Sequence, residues 1–256
     1  MLLAMDVGNT QTVLGLFDGE VLRAMWRISS DRSRTPDELA LVVRELLATR
    51  GWRPEEVRQA VVGSVVPPLT AAARGMAELL LDHPPLVVDH TLRLDVELAV
   101  EEPALLGADR IANAVAAYRQ HGAPVIVVDL GTATTYDVLA SGGRYLGGVI
   151  APGLFTAAEE LVRRTSRLPR VDLVPPASVI GRNTEEAMRA GLVLGAAVQI
   201  DGLVRRIWRE LGERCPVIAT GGDAGILMPL CETVDLVEPH LTLIGLRLIH
   251  ELNREG

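Results

Sequence analysis

The chain has 256 residues, 48% hydrophobic and 23% charged, a balance that excludes intrinsic disorder as the main state and allows one or two compact units. With 25 basic against 33 acidic residues the net charge is −8, which disfavours nucleic acid and an anionic membrane surface as partners. All 25 basic residues are Arg, so chemistry that needs a lysine amine is excluded, whether a Walker A loop, a Schiff base or the strand lysine of protein kinases.

The chain opens with Leu2 to Val7, a short buried strand running into a turn at Gly8. A second strand over Thr12 to Phe17 and a hairpin signal at Asp18-Gly19 lead into a third over Val21 to Ile28, so the chain begins as an antiparallel meander. Thr35-Pro36-Asp37-Glu38 has the order of a capping residue, an N1 proline and early acids, and predicts a helix to about Arg50 closed by Gly51. Gln59 to Ser64 reads as strand, Thr70 to Leu81 as helix, Leu86 to Asp89 as strand, and Ala108 to His121 as helix with Ile111, Val115 and Tyr118 on one face.

An internal comparison sets the architecture. Asp6-Val7-Gly8-Asn9-Thr10-Gln11-Thr12 and Asp129-Leu130-Gly131-Thr132-Ala133-Thr134-Thr135 share Asp-x-Gly-[Asn/Thr]-x-x-Thr, each after an apolar strand and before a β-like run. The second run also ends in a hairpin signal, Ser141-Gly142-Gly143. Helix is expected from Gly153 to about Thr165, an irregular Pro-rich stretch over Leu168 to Pro176, and a long helix from Thr184 to about Leu211. Strand Val217 to Thr220, Gly221-Gly222, a helix to about Leu230, strand Thr233 to Val237 and a closing helix over Leu241 to Leu252 complete the second half. The expected boundary divides residues 1–115 from 116–256.

Cys215 and Cys231 have no metal-ligand spacing and point to a reducing, cytoplasmic location. Asp6 interrupts the apolar start before a signal-peptide core can form, and the longest apolar stretches, around Ala190 to Val198, fall short of a membrane span. His83, His90, His121, His240 and His250 show no metal-like spacing, and Ser64, Ser141 and Ser178 lack a nucleophile elbow.

An Asp at the end of a strand, followed by Gly and hydroxyl or amide residues, offers a carboxylate for a metal ion beside backbone that can approach phosphate oxygens. Either turn alone is equally a hairpin satisfying its own backbone. Two of them, on matching strands of related halves, could hold a nucleotide's phosphates and Mg2+ from both sides of a cleft. Gly221-Gly222 adds a helix start with small residues where a nucleoside could lie.

These three segments resemble the phosphate-1, phosphate-2 and adenosine motifs of the acetate and sugar kinase, Hsp70 and actin superfamily. Gly107-Ala108-Asp109-Arg110, Gly147-Gly148-Val149-Ile150-Ala151-Pro152-Gly153, Leu168-Pro169-Arg170-Val171 and Ile180-Gly181-Arg182-Asn183-Thr184-Glu185-Glu186 narrow the resemblance to type III pantothenate kinases. The resemblance implies an α/β protein of two ribonuclease-H-like halves, each a βββαβαβα-type unit, with the active site in the cleft between them. It further implies a homodimer and transfer of the ATP γ-phosphoryl group to pantothenate, the first step of coenzyme A synthesis, with Mg2+ and a monovalent cation, K+ or NH4+.

Carried over residue by residue, the resemblance gives ATP contacts to Asp6, Val7, Gly8, Asn9, Thr10, Gln11, Thr12, Val13, Thr132, Gly221 and Gly222. Asp6 would also hold Mg2+ and Asp129 the monovalent cation. Gly107, Ala108, Asp109, Arg110 and Thr184 would contact pantothenate, Thr184 from the neighbouring subunit, with Asp109 the general base. Asp109 is also a plausible acid of a helix first turn, and Thr184 an N-cap. The stripe Met188, Leu192, Gly195, Ala196, Gln199 and Leu203 suits either core packing or a dimer interface. One departure stands out: Val100-Glu101-Glu102-Pro103 replaces the family's Tyr-Asp-Asn-Pro, so the pocket tyrosine is missing. A non-catalytic nucleotide-sensing regulator of the same fold is the alternative reading, and a phosphatase of the same superfamily a third.

Overall fold

The computed structural model describes residues 1–254. Contacts divide the chain into two compact units, Met1–Arg119 with the closing segment that starts at Leu241, and Gln120–His240.

In the first unit β1 (Leu2–Val7), β2 (Gln11–Asp18) and β3 (Val21–Ser29) form the expected meander, and α1 (Pro36–Ala48) carries the chain to β4 (Gln59–Ser64), parallel to β1. Thr35 accepts from the Glu38 backbone N–H while the Glu38 carboxylate takes the Thr35 N–H, the capping box that the sequence predicts. After β4 come α2 (Pro67–Leu81), β5 (Leu86–Val87), the two-residue β6 (Glu97–Leu98) and α3 (Ala108–His121). The sheet order is β3-β2-β1-β4-β5. Leu3, Met5, Val7, Leu14 and Val62 pack against Leu39, Val43 and Leu47 of α1 and Leu69 and Met76 of α2. Helix α2 begins three residues before the expected Thr70, because Pro67 and Pro68 occupy its first turn, where no backbone donor is needed.

The second unit repeats the design with β7 (Val125–Leu130), β8 (Ala133–Ala140), β9 (Arg144–Pro152), α4 (Leu154–Arg164), α5 (Thr184–Arg189), a π-helical turn over Ala190–Leu194, α6 (Gly195–Leu211), β10 (Val217–Thr220), α7 (Ala224–Leu227) and β11 (Leu236–Val237). Its own strands lie in the order β11-β10-β7-β8-β9, with β7, β10 and β11 parallel. Strand lengths of six, eight and nine residues recur in β1 to β3 and β7 to β9, and a register shift follows the sixth residue of both β2 and β8, at Leu16/Phe17 and Val138/Leu139. Such detailed agreement establishes two ribonuclease-H-like halves.

Two differences from the sequence reading have physical causes. The ungapped repeat matches Thr12 with Thr135, but Thr12 pairs with Val7 and Thr134 with Leu130, so Thr12 and Thr134 are the equivalent buried residues. The first turn is one residue longer, and an ungapped comparison cannot register that. The closing helix (Leu241–Leu252), expected with the second half, belongs by its contacts to the first unit, whose chain segment extends to Arg119 rather than 115. Leu243 fills the space beside Gly15, Leu246 that beside Gly63, and Gly245 lies so close to α3 that a Cβ there would come within 2.8 Å of Ala112 Cα.

The helical run Thr184–Leu211 is 28 residues long and apolar enough to match a membrane span by length and composition, which the interrupted apolar stretches of the sequence did not suggest. Val193, Ile200 and Val204 are nevertheless part of the second unit's core, and buried Asp201 accepts from the backbone N–H groups of Glu232 and Thr233 and from Thr233 Oγ1. Of the expected stripe, Met188 is buried, Leu192, Ala196 and Leu203 are half-buried, and Gly195 and Gln199 are exposed.

Candidate functional site

Asp6 is the half-buried fifth residue of β1, with apolar neighbours Met5 and Val7 fully inside. The strand ends at Val7 and the chain turns through Gly8, Asn9 and Thr10, where the Gly8 N–H donates to Gln11 O at 3.0 Å. Asn9, Thr10 and Gln11 are exposed at the turn, while Thr12 is buried and Val13 lies opposite Asp6. The segment after β3 returns to this turn: Ser30 N–H donates to Thr10 O at 3.0 Å, and Ser30 Oγ lies 2.9 Å from Thr12 Oγ1.

The same edge of the first unit's sheet receives the start of α3. Asp6 lies opposite Gly63 in the parallel pairing of β1 with β4, and a Cβ at Gly63 would touch Ala108 Cβ at 3.6 Å. Ala108 is buried there, which places Asp109 beside the strand end that carries Asp6. Gly107 leaves room for the Asp109 carboxylate at this junction, since a side chain there would displace it and come within 3.3 Å of Val65 Cγ1. Asp109 Oδ1 accepts from the Arg110 backbone N–H at 2.8 Å, the local role of a first-turn acid. Burial raises the Asp109 pKa above the ordinary carboxylate value, against the lowering influence of the Arg110 N–H and guanidinium. A carboxylate held this way is a proton acceptor closer in basicity to an alcohol's needs than an exposed aspartate.

In the second unit, Asp129 is the half-buried fifth residue of β7 and lies opposite Thr220 of β10. The turn that follows it is enclosed by two glycines. Gly221, at φ +94°, has no room for a side chain: a Cβ would lie 2.6 Å from Asp129 Oδ1 and 2.6 Å from Leu130 N. Gly153, just before α4, donates its N–H to Thr132 O at 3.1 Å, and Thr156 Oγ1 donates to the same oxygen at 2.7 Å. Thr132 is thus fixed by α4 with its side chain exposed, and Gly222 is exposed with nothing within 4 Å of its missing Cβ. Asp223 donates its N–H to Leu130 O at 3.1 Å, while its half-buried carboxylate accepts no hydrogen bond among the described residues and burial raises its pKa to about 6.

The profile of the type III pantothenate kinase family matches residues 2–206. The chain belongs to the type III pantothenate kinases. It is 46% identical to the type III pantothenate kinase of Moorella thermoacetica, over 99% of this chain and 100% of that one. It is 47% identical to that of Thermomicrobium roseum, over 98% and 97% respectively. Among solved structures, component A of (R)-2-hydroxyglutaryl-CoA dehydratase from Acidaminococcus fermentans shares the fold, with a TM-score of 0.58 at 16% identity and 99% coverage of both chains.

Within this type III pantothenate kinase, the first unit brings Asp6, the Gly8 turn, Gly107, Ala108, Asp109 and Arg110 to one sheet edge, and the second unit gathers Asp129, Thr132, Gly221 and Gly222 at another. Thr184 is placed differently from one expectation. The cap of its helix is Asn183, whose Oδ1 accepts from Glu186 N–H at 2.9 Å, so Thr184 is the first helical residue and its exposed hydroxyl is not a cap. Asn183 ahead of two glutamates was the signal for this. Glu101 and Glu102, where the pocket tyrosine segment would be, are exposed. Ser30 and Arg32, which touch the first turn, carry no motif that sequence reading could have seized on.

Proposed function

We propose that this kinase transfers the γ-phosphoryl group of ATP to the primary hydroxyl of pantothenate, yielding 4'-phosphopantothenate and ADP as the first step of coenzyme A synthesis. The observation that carries the reading is Asp109, a carboxylate of raised pKa held beside the strand end of Asp6 by the contact of Ala108 with Gly63. The pantothenate hydroxyl oxygen forms the new bond to the γ-phosphorus, the bond from that phosphorus to the β,γ-bridging oxygen breaks with its electron pair leaving on ADP, and Asp109 accepts the hydroxyl proton. A regulator that only senses nucleotide has no use for this third acid.

Backbone and side-chain donors of Asn9, Thr10, Thr132, Gly221 and Gly222 are assigned to ATP, with Gly8 letting the turn approach it, and Gly107, Ala108, Arg110 and Thr184 to pantothenate, the last from the partner subunit of a homodimer. Among the described residues no three His, Cys, Asp or Glu converge on a metal centre. That fits Mg2+ held by one carboxylate, Asp6, together with phosphate oxygens and water, the usual manner for this ion in nucleotide sites. Mg2+ would supply neutralisation of phosphate charge when bound. Asp129, half-buried opposite Thr220 and against Gly221, is assigned the monovalent cation, K+ or NH4+. A cytoplasmic location accords with unpaired Cys215 and Cys231.

The test is a purified protein supplied with MgATP and pantothenate, with and without K+. Formation of phosphopantothenate with one ADP per product supports the assignment. ATP hydrolysis at the same rate without pantothenate would indicate a phosphatase, and nucleotide binding without turnover a regulator.

A further inference from the structure

The strongest feature that the motifs leave unexplained is the segment between β3 and α1. It folds back on the first Asp-Gly turn at Thr10 and Thr12 through Ser30, and at Asn9 through Arg32, whose Nη2 donates to Asn9 Oδ1 at 3.1 Å. The segment is braced internally: Asp31 Oδ1 accepts from Ser33 N at 3.0 Å and Ser33 Oγ at 2.7 Å, and Arg34 N–H donates to Asp31 O at 3.1 Å. Arg32 is therefore presented from a built turn.

We propose that Arg32 is a phosphate-binding residue of the nucleotide site, supplying beside the first turn the cationic charge that a lysine-free chain must take from arginine. Three observations carry this. The acid nearest in sequence, Asp31, directs its carboxylate to Ser33, and Arg32 makes no ion pair among the described residues. Among the described residues its hydrogen-bond partner is the neutral amide oxygen of Asn9, so no carboxylate offsets the guanidinium and most of its five donors are left, in the planar fork that suits phosphate. Both residues are exposed, so a ligand can reach them. The contact also orients Asn9: with Oδ1 turned to Arg32, the Nδ2 donors point away from Arg32 on the other arm of the planar amide, and a phosphate needs donors. Arg32 thus contributes charge directly and fixes the polarity of Asn9.

The inference rests on the reading of residues 6–13 as a nucleotide turn, and the experiment separates the two. Binding of adenosine, AMP, ADP and ATP, each with Mg2+, is measured by calorimetry for the wild type, Arg32→Gln and Arg32→Lys, alongside steady-state kinetics with pantothenate. Arg32→Gln should weaken ATP about tenfold or more, the worth of a charge-assisted hydrogen bond, with adenosine unchanged and a loss that grows with phosphate number and shrinks in high salt. KM for ATP should rise while KM for pantothenate holds, and Arg32→Lys should recover part of the loss. Equal weakening of adenosine and ATP, or an ATP affinity within about twofold of wild type, would overturn the role of Arg32 alone. A wild type that binds no ATP overturns the nucleotide reading and this one with it.

Discussion

Gly221 lies against Asp129 with no room for a methyl group between them: a Cβ at Gly221 would sit 2.6 Å from Asp129 Oδ1, on a backbone at φ +94°. Neighbouring Gly222 has open space around it. Gly221→Ala should therefore cost roughly 2–4 kcal/mol in urea unfolding, from backbone strain and overpacking together, while Gly222→Ala should stay within about 0.5 kcal/mol. Similar losses in the two variants would mean that the glycine pair is not asymmetric in the way the packing requires.

Asp109→Asn keeps an oxygen to accept from the Arg110 N–H but cannot accept the substrate proton. Expected is a fall in kcat of about 100- to 10,000-fold with a cooperative unfolding transition retained. Because burial raises the Asp109 pKa, the native state holds this proton more tightly than the unfolded chain does. Stability contributed by Asp109 is present below its unfolded pKa and is lost as pH rises through the raised native value, so the Asn variant should be at least as stable as wild type at neutral pH. The acid limb of kcat should lie above the ordinary carboxylate range. A variant with wild-type kcat removes Asp109 from the chemistry.

Asp223 gives a second pH dependence, in stability rather than rate. Its pKa rises from 3.8 to about 6 on folding, through burial with no compensating donor. Thermal stability should decline from pH 4 towards pH 7 by this contribution, and Asp223→Asn should flatten the decline and raise the midpoint above about pH 6. A midpoint profile unchanged by the substitution would show that the carboxylate is solvated.

Asn183 and Thr184 divide two tasks that the sequence left on one residue. Asn183→Ala removes the cap on Glu186 N–H and should cost about 1 kcal/mol. Thr184→Ala should leave stability within about 0.5 kcal/mol and instead raise KM for pantothenate. Exchange of these outcomes, measured by urea unfolding and initial rates, would reverse the assignment.

The duplicated strand and turn pattern, the capping box at Thr35, the helix over Ala108–His121 and the positions of Asp6, Asp109 and Asp129 were all legible in the sequence, because each depends on neighbours a few residues away. Three features depended on distant partners. The closing helix joins the first unit because Gly15 and Gly63 leave spaces that Leu243 and Leu246 fill, while Gly245 lets the helix lie against Ala112, and nothing within Leu241–Leu252 records those distant surfaces. The equivalence of Thr12 with Thr134 required strand register, which one extra turn residue displaces. The approach of Ser30 and Arg32 to the first turn likewise spans chain separations that no local pattern encodes. Local propensity and motif spacing set which elements form and which acids end the strands. Which surfaces those elements share is a matter of shape complementarity between distant segments, and only the folded chain decides it.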